Sequence, residues 1–426
     1  MRTHRRSAAA VALVSLLAAA ATASAQPPAG RPVAAAAPAK VRPGIDILER
    51  EGFTLLKGQR VGLVTNPTGV TSDLRPTLDV LHRAPGVRLV AIYGPEHGAR
   101  GDVPAGDKVD DARDAATGLP VYSLYGKTRK PTPEMLADLD VLVYDIQDIG
   151  SRSYTFISTL ALVQEAAAEH KLPVVVLDRP NPLGGLRVEG RPLDLKFQSF
   201  VGQLPIPYIH GMTVGELALM ANGEKWLKDG VQCDLTVVKM EGWRRAMRWE
   251  QTGLTWVPTS PHVPRADSAA FYAATGILGE LHFLSEGVGY TLPFELIGAP
   301  WLEPQKLADE LNARRLPGVY FRPLYFQPYY GRFAKEPCGG VQILLTDPDR
   351  VELTPIQFHA LDAVRKLVPD RKPTGDKRDG MFDKVCGTDR IRKLVEAGRP
   401  VDEILAAWRE GVDEFRAQRA KYLLYE

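Results

Sequence analysis

Cysteine is scarce: Cys233, Cys338 and Cys386 are the only three in 426 residues. That excludes a disulfide-stapled scaffold, and their spacing matches no metal-binding motif. An odd count leaves at least one thiol free. Three buried small side chains are the expectation, with one disulfide of unspecified pairing as the alternative. Nucleotide-binding loops are missing as well. The first apolar run exits through Asn66-Pro67-Thr68-Gly69 rather than G-x-G-x-x-G, and there is no Walker lysine loop. This argues against nicotinamide and nucleotide cofactors. No H-E-x-x-H cluster and no G-x-S-x-G elbow occurs, so metalloprotease and serine-hydrolase chemistry lack their signatures. An excess of charge is absent too, with Lys+Arg 53 against Asp+Glu 51. Without Arg2, Arg5 and Arg6 the balance tips to slightly acidic. There is no basic field for nucleic acid.

Those three arginines open a short targeting segment. They precede an apolar, alanine-rich stretch from Ala8 to Ala21 and the small residues Ala23-Ser24-Ala25. The pattern is a secretory signal cleaved after Ala25 rather than a membrane anchor, because the stretch is short for a stable span. The expectation is an exported protein, periplasmic or extracellular, starting at Gln26 and making no stable membrane insertion after signal removal. Residues 26–43 are rich in Ala and Pro without periodicity and read as a linker.

The next part alternates strands with helices. Short β-branched runs occur at Arg60–Thr65, Val87–Tyr93, Val141–Tyr144, Pro173–Leu177 and Leu235–Lys239. Continuous apolar runs of this length suit strands covered on both faces. Phe156–His170 reads as a helix, and Thr213 with Glu216 offers a capping box for another. The fold class expected is α/β: a Rossmann-like doubly wound parallel sheet over residues 44–265, then a smaller mixed α/β auxiliary domain over 266–426, with a cleft between them. In the second part Pro304–Arg314 and Thr354–Leu367 look helical, Val341–Leu345 looks like a strand, and Val401–Tyr422 reads as a terminal helix.

Four predicted strands run into Gly/Pro-rich loops loaded with ionisable groups: Asn66–Gly69, Gly94–Asp102, Asp145–Tyr154 and Asp178–Gly185. Ligands in open α/β sheets bind beyond the carboxyl ends of the strands, so the four loops should share one rim. Turns need Gly and Pro; they do not need so many charges. Cutting a glycosidic bond requires a proton donor and anionic stabilisation of an oxocarbenium-like transition state. Glu96, between a Pro and a His at a strand end, fits the donor best. Asp145 and Asp148 are the next carboxylates, either as base or as stabiliser, although Asp148 can equally cap a helix. Arg100 and Arg152 can receive a substrate carboxylate or pair with a neighbouring Asp. The hinge and second domain add Ser260-Pro261-His262-Val263-Pro264 and Leu284-Ser285-Glu286-Gly287, where Glu286 stands between a Ser and a Gly. The candidate set is Glu96, Asp145, Asp148 and Glu286 for catalysis. Asn66, His97, Arg100, Arg152, Tyr154, Asp178, Arg179, His210 and His262 are the candidates for holding substrate.

These pieces, from Asn66-Pro67-Thr68-Gly69 and Gly94-Pro95-Glu96-His97-Gly98 through Asp145–Tyr154, Asp178–Pro182, His210-Gly211-Met212-Thr213, Ser285-Glu286-Gly287 and Cys338–Gln342, follow one order along nearly the whole mature chain. Together they resemble the NamZ-like exo-β-N-acetylmuramidase family, glycoside hydrolase family 171, formerly DUF1343. The resemblance implies a Rossmann-like domain with an auxiliary domain, and release of N-acetylmuramic acid from non-reducing ends of peptidoglycan fragments. It implies no metal and no nucleotide, and Glu96 as the leading catalytic acid. Ser-Pro-His262-Val-Pro, Glu280-Leu-His-Phe283 and Val288-Gly-Tyr290 depart from the family's usual residues, which leaves a related amino sugar open as substrate. Two rival readings stand beside it. One is an exported sugar-binding protein without turnover. The other is a metal-dependent hydrolase built from residues such as Glu96, His97, Asp145, Asp148, His210 and His262.

Overall fold

Each β-branched run named above, from Arg60 to Lys239, becomes a strand. The computed structural model describes residues 40–101, 111–375 and 379–426. The expected signal peptide, most of the linker and Asp102 lie outside these residues. The strands are β1 (Arg60–Thr65), β2 (Arg88–Gly94), β3 (Ala112–Arg113), β4 (Pro120–Ser123), β5 (Val141–Asp145), β6 (Val174–Leu177) and β7 (Leu235–Val238). They make one sheet in the order β3-β4-β2-β1-β5-β6-β7. All neighbours are parallel except the short edge pair β3/β4. Omitting that edge, the chain steps outward from β1 to one side and then from β5 to the other. This is the doubly wound order, and it places the switch point between β1 and β5.

Alternation along each strand assigns the two faces. Leu142, Tyr144, Val174 and Val176 pack under helices Phe156–His170 and Val214–Gly223. Val141, Val143, Val175 and Leu177 pack on the other side with Ile45, Leu48 and Leu81. Side chains of successive strand residues point to opposite faces, so an unbroken apolar run is what a sheet covered twice requires. The capping box at Thr213 forms as expected: its side chain accepts from the Glu216 backbone, and the Glu216 side chain accepts from the Thr213 backbone.

A second sheet holds β8 (Leu296–Ala299), β9 (Val319–Phe326) and β10 (Cys338–Leu345), antiparallel and ordered β8-β10-β9. Its core gathers Phe271, Ile277, Ile297, Leu307, Phe321 and Phe358. β9 escaped the sequence reading because Arg322 and Pro323 interrupt its apolar pattern; proline is tolerated there because β9 is an edge strand.

Three expectations need adjusting. The terminal helix is two, Val401–Arg409 and Val412–Arg419, broken at Gly411 with φ +78°, where an added Cβ would crowd the Pro192 ring at 3.1 Å. The end of the linker is built into the fold: Val41 is buried and its amide donates to Thr252 O at 2.9 Å. Residues from the expected second domain return to the larger sheet, where Phe415 enters the core and the Tyr425 hydroxyl donates to Asp178 Oδ2 at 2.6 Å. The three cysteines are buried and free. Among the described residues no helix is long and apolar enough to cross a membrane.

Candidate active site

The rim is organised by hydrogen bonds between the exits of β1 and β5, the two strands at the switch point. Thr65 Oγ1 donates to Asp145 O at 2.9 Å. Thr68 Oγ1 accepts from Gln147 N at 2.8 Å and donates to Asn66 Oδ1 at 2.5 Å. Gly69 is needed here, because a Cβ would lie 2.2 Å from Thr65 Oγ1. The two loops therefore present their next residues in a fixed relation.

Glu96 follows β2. The residues after it, His97 and Gly98, both take left-handed conformations, with φ +72° and +77°. For a histidine this is uncommon and costs conformational energy, so the surrounding structure must impose it. The turn buries His97 and leaves Glu96 partly exposed. Thr155 Oγ1 donates to Glu96 Oε2 at 2.9 Å, which ties the β2 loop to the start of helix Phe156–His170. Tyr125, just past β4, is also beside Glu96: its hydroxyl is pushed up first by burial and then by that carboxylate.

Asp148 follows β5 and is buried, with Oδ2 accepting from Gly150 N at 2.6 Å. Burial pushes its carboxyl up to about 7. His210 lies beside it and burial pushes its imidazole down to about 3. Tyr154 is near both carboxylates: burial pushes its hydroxyl up, the charges of Asp148 and Glu96 add to that, and it donates to Thr259 Oγ1 at 2.7 Å.

Thr259 begins the second wall. His262, three residues on, has its ring nitrogen Nε2 2.9 Å from the Tyr330 hydroxyl and is held down by burial and then by His97. Glu286 lies close against Gly279 of helix Ser268–Glu280: an added Cβ would sit 3.0 Å from Glu286 Cδ. Burial pushes Glu286 up to about 7, with Glu280 adding to the shift and Arg332 opposing it. A cavity of about 920 Å³ opens elsewhere, lined by Leu186, Arg187, Trp249 and Arg350, and holds none of these residues. The chemistry of the rim, not that volume, marks the candidate site. Among the described residues no group of three or more His, Cys, Asp or Glu is placed to hold a metal ion.

Family models match the chain nearly end to end: exo-β-N-acetylmuramidase NamZ, N-terminal, over residues 61–267, and its C-terminal partner over 270–425. The chain belongs to the NamZ family of glycosidases. The peptidoglycan β-N-acetylmuramidase NamZ of Bacillus subtilis (strain 168) is 45% identical over 386 residues, which are 91% of this chain and 92% of that protein. A crystal structure of a DUF1343 family protein from Bacteroides fragilis NCTC 9343 superposes with a TM-score of 0.87 at 52% identity, covering 91% of this chain and 99% of that one. A second protein of the same description and organism gives 0.73 at 31%, with the same coverage. The boundary between the two NamZ models falls just before helix Ser268–Glu280, so Glu96, His97, Asp148 and Tyr154 come from the N-terminal part and Glu286 from the C-terminal part.

Several candidates are engaged by other groups of the protein itself. Asp145 is fully buried in a two-pronged pair with Arg179, at 2.5 and 2.8 Å, and also accepts from Thr77. Asp178 accepts from Gly215 N, Thr213 Oγ1 and Tyr425 at the start of helix Val214–Gly223, and burial pushes it up to about 6. Arg100 pairs with Asp114 and Asp79, the bland alternative for it. Arg152 is fully buried and donates to the carbonyls of Arg191, Ile206 and Val385, so it clamps distant segments rather than offering its guanidinium to a substrate. Asn66 Oδ1 accepts from Thr68 in a side-chain-closed turn. The reading missed Thr155, Tyr125 and Tyr330. Tyr125 follows β4, a strand the apolar pattern did not show; Tyr330 comes from a loop after β9, which the pattern also hid.

Proposed function

We propose that this chain is an exported exo-β-N-acetylmuramidase that releases N-acetylmuramic acid, or a closely related amino sugar, from the non-reducing ends of peptidoglycan fragments. Its relative in B. subtilis supplies the substrate class. The observation that carries the reading is Glu96, oriented by Thr155 at the exit of β2, on the same sheet rim as the buried Asp148 at the exit of β5, with Tyr154 near both. In this reading Glu96 gives its proton to the glycosidic oxygen as the C–O bond breaks. Asp148 stabilises the positive charge that develops on the sugar ring, and Glu286 closes the site from the other wall. The turn at His97 and Gly98 holds the acid in place before substrate arrives, so little entropy remains to be lost in reaching the reactive geometry.

The test is incubation with a chromogenic β-N-acetylmuramide beside the matching N-acetylglucosaminide. Release from the first, undiminished by excess chelator, is the expected result. Tight binding of the muramide with no turnover would overturn the reading in favour of a sugar-binding protein. Export with cleavage after Ala25 rests on Arg2, Arg5, Arg6 and the small residues before Gln26; protein recovered only from the cytosolic fraction would refute the export, and secreted protein that still began at Met1 would refute the cleavage.

A further inference from the structure

Two tyrosines beyond β9 are exposed without being loose. Tyr329 is 69% and Tyr330 54% exposed. Tyr329 N donates to Gly289 O at 2.7 Å, and its ring lies over Tyr290 at 6.1 Å between centroids and 17° between planes. Gly289 has φ +91°, and an added Cβ would fall 1.9 Å from Tyr330 O, so the loop carrying Glu286 and the loop carrying the tyrosines touch in a way only glycine allows. The second loop is closed by Lys335 N donating to Pro328 O at 2.8 Å, with Phe333 and Lys335 in left-handed conformations. Aromatic area held in water by a strained, cross-braced loop gives the fold little in return, which points to a binding role.

The platform is continuous with the candidate site. The Tyr330 hydroxyl meets His262 Nε2 at 2.9 Å and the two rings stack at 6.0 Å. His262 N in turn donates to Ser260 Oγ at 3.1 Å, and the adjoining Thr259 accepts from the Tyr154 hydroxyl at 2.7 Å. A tyrosine face is apolar with a polar edge, the complement of a pyranose ring whose C–H face is ringed by hydroxyls. An enzyme that removes a terminal sugar must enclose that sugar, so a face open to solvent belongs to the side where the rest of the chain extends.

We infer that the Tyr290–Tyr329 stack, with Tyr330 at its inner edge, is the binding face for the leaving sugar, the pyranose on the reducing-end side of the bond that is cut. The inference rests on the muramidase reading above. Tyr290 backs the exposed ring and fixes its tilt, Tyr329 offers the stacking surface, and Tyr330 links that surface to His262.

Two substrates separate the possibilities. One is the disaccharide of N-acetylmuramic acid β-linked to N-acetylglucosamine, which has a leaving sugar. The other is β-N-acetylmuramyl fluoride, whose leaving group has no ring to stack. Tyr329→Ala should raise KM for the disaccharide about ten-fold, in line with an aromatic stacking contact, and leave fluoride hydrolysis unchanged. Tyr329→Phe keeps the ring and should match wild type on both. Equal KM for wild type and Tyr329→Ala on the disaccharide would overturn the platform, as would an equal loss on the fluoride. A Tyr329→Phe variant as impaired as Tyr329→Ala would replace stacking with a hydroxyl contact and overturn it too. If the wild-type protein cleaves neither substrate, it is the muramidase reading that fails, and the inference with it.

Discussion

Asp148 Oδ2 and His210 Nε2 stand 3.9 Å apart inside the protein, beyond hydrogen-bond reach. Asp148 Oδ1 and His210 Nε2 are both buried without a hydrogen-bond partner among the described residues. His210 Nδ1 accepts from Met212 N at 3.2 Å, which puts the ring's hydrogen on Nε2. The site thus keeps one ring donor and one carboxyl oxygen buried and unsatisfied, a costly arrangement for a fold.

The titration of Asp148 can be read from stability. Burial moves its carboxyl from the ordinary 3.8 up to about 7. The protonated form is therefore the one the fold tolerates: the side chain costs nothing below about pH 4, and ionisation subtracts stability progressively as pH rises to about 7. Asp148→Asn does not ionise. Relative to wild type it should gain stability across that window, on the order of 3 kcal/mol by about pH 8, while losing activity. Thermal melts at several pH values check this, and parallel curves for the two proteins would count against it.

Glu96→Gln keeps the shape of the side chain and removes the acid. Turnover of the muramyl disaccharide should fall by about 10²–10⁴-fold, the range typical of general acid catalysis. Hydrolysis of a muramyl fluoride, which needs no protonated oxygen, should recover much of that loss. Wild-type rates on both substrates would return Glu96 to a turn residue and pass the role to Asp148 or Glu286.

Asp145 is expected to matter for stability and not for chemistry. Asp145→Asn leaves the Arg179 guanidinium buried without its counter-charge, a change that costs about 3–5 kcal/mol when a buried pair is broken. Denaturant unfolding should show the loss. Protein that remains folded should keep its kcat, and a selective fall in kcat at full stability would contradict the assignment.

Gly279 offers a way to move Glu286 without touching it. An added Cβ would stand 3.0 Å from Glu286 Cδ and 3.2 Å from Oε2, so the carboxylate must shift by a few tenths of an ångström. Alanine is also a better helix former than glycine by about 1 kcal/mol. Gly279→Ala should therefore hold or raise Tm while lowering kcat and displacing the pH–rate profile. An unchanged profile would show that the position of Glu286 does not govern the reaction.

Strands β1, β2, β5, β6 and β7 of the larger sheet were legible because each β-branched run from Arg60 to Val238 is short, continuous and followed by turn residues, as doubly covered strands are; β3 and β4 at its edge carry no such run. The helix at Phe156–His170 and the Thr213–Glu216 box were legible from local chemistry. β9 was not, since its alternation breaks at Pro323 on an exposed edge. Within the site, Glu96, His97, Asp148 and Tyr154 could be read from strand exits. What could not be read was which charges satisfy one another. Asp145 and Arg179 are separated by 34 residues, and Arg152 reaches Val385 across 233. Only the fold reveals that these groups are already engaged.

The hydroxyl of Tyr425 completes the hydrogen bonds of Asp178 across 247 residues of sequence. Asp178 sits just past β6, inside the sheet that was made first, and its carboxyl also holds Thr213 and Gly215. During synthesis that corner must wait for residue 425 to emerge before it can close. The larger sheet is therefore finished late, despite being encoded early.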